Sequence, residues 1–202
     1  KTLEPRLICF VAYGQNVNAG TTSMSGVSRQ SSALKNAGLS TPISVVGSHV
    51  QALPKETLEK EKSIDIVFLG EGVYPLLQLL KLKKIVSENF NQVDGIAYKF
   101  ENKIFFSSAS HIVTKDRMDL DMPGYAWDLL PYKNKPFDLY RSPLWHADYI
   151  EKFRSPYVAI QTSIGCQFKC SFCMINLINK NDVLEEGVAN NYNGMRHWSV
   201  EF

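Results

Sequence analysis

Three cysteines, Cys166, Cys170 and Cys173, stand within eight residues of a 202-residue chain that holds only one other, Cys9. Thiolates are soft ligands, and three on one short loop can hold a metal ion or an iron–sulfur cluster. A disulfide framework would need more cysteines and an even pairing. Clustered free thiols point instead to a reducing compartment, so a cytoplasmic protein is expected. The spacing is CxxxCxxC. Structural zinc sites ordinarily take four ligands from two paired knuckles. Here Cys170 and Cys173 form one such pair, and His146 and His197 could complete a zinc site. Three thiols alone suit a 4Fe–4S cluster with one iron left open to a substrate. Cys9 lies in the apolar run Leu7–Ala12 and reads as a small buried hydrophobe.

Composition narrows the class. Hydrophobic residues make up 45% and charged residues 21%, which excludes disorder and collagen-like repeats. The net charge of +2 is too balanced for binding nucleic acid through bulk charge, and no nucleic-acid partner is expected. No apolar run approaches the roughly 20 residues of a membrane helix, so no membrane span is expected. The chain opens on Lys1 without a signal-peptide pattern and reads as an internal fragment of a longer protein.

The elements that must position the thiols alternate strand and helix. Leu7–Ala12, Ile43–Val46 and Ile64–Leu69 are apolar runs of strand length. Between them, Ser23–Ala37 reads as a helix with a weak apolar face broken by serines and a cap at Gly38. Pro54–Lys60 is a short helix, and Tyr74–Val86 is the clearest one. Strands apolar on both sides, alternating with helices, argue an α/β fold: a flavodoxin-like doubly wound parallel sheet, incomplete at its start. Ligands of such sheets bind beyond the carboxyl ends of the strands. Two loops expected there carry glycine, Gly47-Ser48-His49 and Gly70-Glu71-Gly72. Neither matches a GxGxxG fingerprint or a P-loop, and each alone is equally an ordinary strand-to-helix turn.

Asp94–Phe100 and Ile104–Ser107 read as a hairpin joined by Glu101-Asn102-Lys103. The division is a partial α/β domain over 1–107, a connector over 108–156 and a second domain opening at 157–202. Prolines and aromatics in the connector read as packing against surfaces, not as a free linker. Tyr157–Thr162 reads as a strand running into the cysteine loop.

CxxxCxxC just after a strand, with Phe172 before the last cysteine, resembles the radical S-adenosylmethionine signature. The upstream loops, Asn18-Ala19-Gly20-Thr21-Thr22 with Met24, and Asp119-Leu120-Asp121-Met122-Pro123 resemble the cobalamin-binding class B branch of that family. The resemblance implies that Cys166, Cys170 and Cys173 hold a 4Fe–4S cluster and that Phe172 lies near the adenine of S-adenosylmethionine. It implies a cobalamin site at Gly47, Ser48, Gly70, Glu71 and Gly72. One electron from the cluster would cleave S-adenosylmethionine to a 5′-deoxyadenosyl radical, for methyl transfer or ring formation on a small-molecule substrate. An electron donor such as a flavodoxin or ferredoxin is implied. The first strand–helix pair of such domains and a cobalamin-ligating DxHxxG motif are absent, and His49 is not proposed as a cobalt ligand. Only 36 residues follow Cys166, against about 250 in a whole β/α barrel, so the barrel is expected to be truncated and the fragment alone inactive. Arg196-His197-Trp198-Ser199 resembles the opening of the next helix and is assigned no chemistry. The competing reading is a non-enzymatic flavodoxin-like binding module with a zinc-stabilised tail.

Overall fold

In the computed structural model the described residues are 4–13, 20–129, 160–168, 170 and 194–202. Phe172, Cys173, His146, Asn18, Ala19 and most of the connector lie outside them, so the expectations placed there have no structural account.

Strands β1 (Ile8–Val11), β2 (Ile43–Val46) and β3 (Ile66–Phe68) are adjacent and parallel, as their apolar runs predict. The sheet then departs from the expected all-parallel form. Strands β4 (Ile96–Phe100) and β5 (Lys103–Phe106) join it antiparallel, giving one mixed sheet in the order β1-β2-β3-β4-β5. The physical reason is the path after α4, which leads back to the edge where β3 ends. Helix α4 (Val73–Lys81) is followed by a 3-10 turn at Ser87–Gln92, and the chain re-enters the sheet from the same edge that it left. The β4–β5 turn has two residues, Glu101 and Asn102, with φ of 48° and 61°. Positive φ at both turn positions matches the right-handed twist of a hairpin.

Alternate side chains of the strands feed two cores. Val45, Val67 and Ala97 pack with Met24 and Val27 of α1 (Gly20–Asn36), Val50 of α2 (Ser48–Ala52) and Leu58 of α3 (Pro54–Lys60). Val46, Ile66, Phe68, Ile96 and Tyr98 pack on the other face with Leu79 of α4 and with Phe90. The sheet is therefore covered on both faces, the doubly wound character that two-sided strands require.

Local chemistry sets the helix limits. The serines that weaken α1's apolar face are used: Ser31 is fully buried and its hydroxyl lies 2.7 Å from that of Ser63. Gly38, at φ +88°, closes α1, with Leu39 N–H donating to the Leu34 carbonyl. That bond pattern marks a Schellman end. Helix α4 stops at Lys81, five residues before the expected Val86, because Leu82 turns extended. The Arg6 guanidinium meets the carbonyls of Leu80 and Leu82 at that end. Ser48–Ala52, expected as loop, is the helical turn α2.

The second sheet is small. Strand β6 (Ser163–Ile164) pairs antiparallel with β7 (Arg196–His197). The expected strand over Tyr157–Thr162 is not formed in its described residues, Ile160–Thr162. Arg196–Ser199 does not open a helix, because its first two residues pair with β6.

Candidate functional site

Parallel pairing brings the loops after β1, β2 and β3 to one edge of the sheet. They touch there. Ala12 N–H donates to the Val46 carbonyl at 2.7 Å. Gly47 follows with φ +154°, and a Cβ on it would stand 2.4 Å from the Ala12 carbonyl oxygen. Gly47 therefore lets two strand ends close on each other. Ser48, fully buried, lies under Gly20 at the start of α1. Its hydroxyl has no hydrogen-bond partner among the described residues. The next residue, His49, is only 3.0 Å from the Thr21 hydroxyl through Nδ1. Burial pulls the His49 pKa down despite nearby Glu56 and Glu61, which favours the neutral ring.

The loop after β3 behaves differently. A Cβ on Gly70 would meet nothing within 4 Å, so this position faces open space. Gly72, at φ +85°, caps α4 with its Cα against the Val46 side chain. Glu71 between them is engaged. Its carboxylate accepts from Arg196 at 2.9 Å and 3.2 Å and from the Val113 N–H at 2.8 Å. Arg196 also donates to the Val113 carbonyl. Both side chains of this ion pair are nearly sealed, 4% exposed for Arg196 and 10% for Glu71. Sequence reasoning gave Arg196 no role, since no local pattern marks an arginine whose partner is 125 residues away.

Further bonds hold the same segment. The Trp198 indole N–H donates to the Met122 carbonyl at 2.8 Å, and the Ser199 N–H to Asp119 at 3.0 Å. Asp121 accepts from Tyr74 of α4 and from Arg117, and both bonds hold its carboxyl below the usual range. The Asp119–Pro123 stretch thus staples Trp198 and Ser199 to the first turn of α4. A cavity of about 300 Å³ lies between these parts, lined by Val73, Met122, Tyr125, Ile164, Trp198 and Phe202 among others.

The thiol loop leaves β6 through Gly165 at φ +101°. Cys166 is half-buried and Cys170 exposed, and both are free thiols. The Phe168 N–H points at Cys166 Sγ, 3.4 Å away. Two exposed or half-exposed soft donors four residues apart fit part of a cluster ligand set. Among the described residues no three metal-binding side chains converge; Cys173 is not one of those residues. Cys9 is apart, packed against the α4-side core, where burial pushes its thiol pKa up more strongly than the Ser44 bond lowers it. For cobalamin, Gly70 offers the open approach and Ser48 a buried hydroxyl without a partner, whereas Gly47 is spent on strand packing.

No protein-family model matches the chain. It is 28% identical over 130 residues to the anaerobic magnesium-protoporphyrin IX monomethyl ester cyclase of Cereibacter sphaeroides, a match to 63% of the chain and 18% of the cyclase. It is 26% identical over 162 residues to an uncharacterized methyltransferase of Pyrococcus horikoshii, 80% of the chain and 31% of that protein. The chain thus spans less than a third of either curated relative. Its fold matches the cobalamin-dependent S-adenosylmethionine radical enzyme OxsB with aqua-cobalamin and S-adenosylmethionine bound, at a TM-score of 0.57 and 22% identity. That match covers 98% of the chain and 22% of OxsB. OxsB with aqua-cobalamin alone matches at 0.56. The resemblance read from the sequence is met: the structural neighbour is a cobalamin-dependent radical enzyme, and the relatives named above are enzymes. No described helix is long and apolar enough to cross a membrane.

Proposed function

We propose that this chain carries the cobalamin-binding domain and the cluster loop of a cobalamin-dependent radical S-adenosylmethionine enzyme. One observation carries the reading. The glycine loop after β3 is bonded through Glu71 to Arg196, whose strand pairs with the strand that runs into CxxxCxxC. This contact supports reading the sheet edge and the thiol loop as parts of one site, as joint action on one substrate would require. Cys166, Cys170 and Cys173 would hold a 4Fe–4S cluster, with Phe172 at the adenine. Gly70 would let the backbone approach cobalamin, with Ser48 and Glu71 beside it, while Gly72 shapes the turn into α4. When bound, these groups supply an electron for cleaving S-adenosylmethionine and a cobalt centre for methyl transfer or ring formation. The thiol loop would open a β/α barrel in the whole protein. A cytoplasmic setting and an electron donor such as a flavodoxin or ferredoxin complete the reading.

The test is anaerobic reconstitution with iron and sulfide. About four irons per chain are expected, with the brown chromophore of this cluster type. Cys166→Ala, Cys170→Ala and Cys173→Ala should each abolish it, and Cys9→Ala should not. One colourless zinc per chain would overturn the reading in favour of a binding module.

A further inference from the structure

Among the described residues, the strand that leads into the thiol loop pairs with one other strand. Strand β6 has two residues and pairs only with β7 in the described sheet. Strand β7 is in turn held by Arg196, and Ile164 is its register partner. From Ile164 to Cys166 there is one residue, Gly165. The path from the glycine loop to the first thiol is thus Glu71, Arg196, Ile164, Gly165, Cys166.

Every link at the Glu71 end is specified. The guanidinium presents two nitrogens to the carboxylate, a fork geometry that fixes orientation as well as distance. Val113 closes the arrangement by donating its N–H to Glu71 and accepting at its carbonyl from Arg196. Arg196 keeps 3% of its surface exposed, so water cannot replace its partners. A buried ion pair is a poor source of net stability compared with apolar packing, and its better-supported use is to specify one arrangement. A loop after a sheet strand has no packing need for a buried carboxylate. The Trp198 indole and the Ser199 N–H tie the segment beyond Arg196 to Met122 and Asp119, and the Trp198 backbone N–H donates to the Thr162 carbonyl at 3.3 Å, which continues the β6–β7 ladder; the Glu71 bonds join that ladder to the loop after β3.

We propose that the Glu71–Arg196 pair is a positioning device that sets the cluster loop against the glycine loop at the sheet edge. The inference rests on reading the thiol loop as a cluster site. Arg196 would act through β7 and β6, from its bonds to Glu71 and Val113.

The experiment uses the whole protein with Arg196→Met, Arg196→Lys and the double variant Glu71→Gln/Arg196→Met, which leaves no uncompensated buried charge. The first readout needs no cofactor. In the apo-protein, amide hydrogen exchange at Ser163, Ile164, Trp198 and Ser199 should quicken about tenfold in Arg196→Met, and less in Arg196→Lys, while β2 and β3 amides stay as in wild type. Unchanged exchange at those four amides would overturn the proposal. So would an equal rise across β2 and β3, which would make the pair a general stabiliser. The second readout is the electron paramagnetic resonance signal of the reduced cluster and its change on adding S-adenosylmethionine. Iron content should match wild type, while about tenfold more S-adenosylmethionine is needed for the same change in Arg196→Met and in the double variant. An identical concentration dependence would overturn positioning. If wild type forms no cluster, the functional reading fails on that result, and the exchange readout still decides whether the pair holds β6 and β7.

Discussion

Gly47 and Ala12 meet so closely at the ends of β2 and β1 that a Cβ on the glycine would lie 2.4 Å from the alanine carbonyl oxygen and 2.8 Å from its carbonyl carbon. Backbone cannot move aside as a flexible side chain can, and Gly47's φ of +154° adds strain for any L-residue. Gly47→Ala should therefore cost about 2–4 kcal/mol in urea unfolding. Gly70→Ala should stay within about 0.5 kcal/mol, since its Cβ would enter open space. Equal losses at the two positions would contradict this division of roles.

Gly70 is consequently the cleaner probe of the proposed cobalamin site. Gly70→Trp in the whole protein should fold normally and bind cobalamin at least about tenfold more weakly, because the indole fills the open approach. Titration of aqua-cobalamin into wild type and variant, followed by absorbance, measures this. Equal affinity would remove the loop after β3 from the site.

His49 makes stability pH-dependent. Its folded-state pKa is lowered from 6.5, chiefly by burial, with Glu56 and Glu61 pulling the other way. In the window below 6.5 and above the folded value, the unfolded chain binds a proton at this ring that the folded chain does not. Stability should be full above pH 6.5 and fall as pH drops through that window. Urea unfolding at pH 7.5, 6.5 and 5.5 should show the slope, and His49→Asn should flatten it. A variant slope equal to wild type would refute the assignment.

Phe68 in central β3 is 1% exposed and packs in the core shared with Leu79 and Phe90. Phe68→Ala should cost about 3–5 kcal/mol. Leu120, 69% exposed beside the Asp119 and Asp121 staples, should cost within about 0.5 kcal/mol when changed to Ala. Chemical unfolding of the two variants checks that the second core under α4 carries stability that the exposed Leu120 side chain does not.

Much of this was legible in sequence because it is local. Leu7–Ala12, Ile43–Val46 and Ile64–Leu69 are apolar on both sides, which only a sheet covered on two faces can bury, and they are the three adjacent parallel strands. Pro54–Lys60 and the Gly38 cap were legible because proline and glycine act on their own backbone. Tertiary structure decided what distant partners control. Whether Asp94–Ser107 stands apart or completes the sheet depends on β3, 28 residues earlier, since Ile66↔Tyr98 and Phe68↔Ile96 are registers that no period encodes. Gly47's task follows from the Ala12 carbonyl, and Gly70's freedom from the lack of any such neighbour. Arg196 shows the limit most clearly. Its charge looks like any surface arginine in sequence, but the closure of β7 on β6 puts its guanidinium beside a carboxylate 125 residues away and shuts out water. Burial and partnership are properties of the assembled chain, so only the fold could turn that side chain into an anchor.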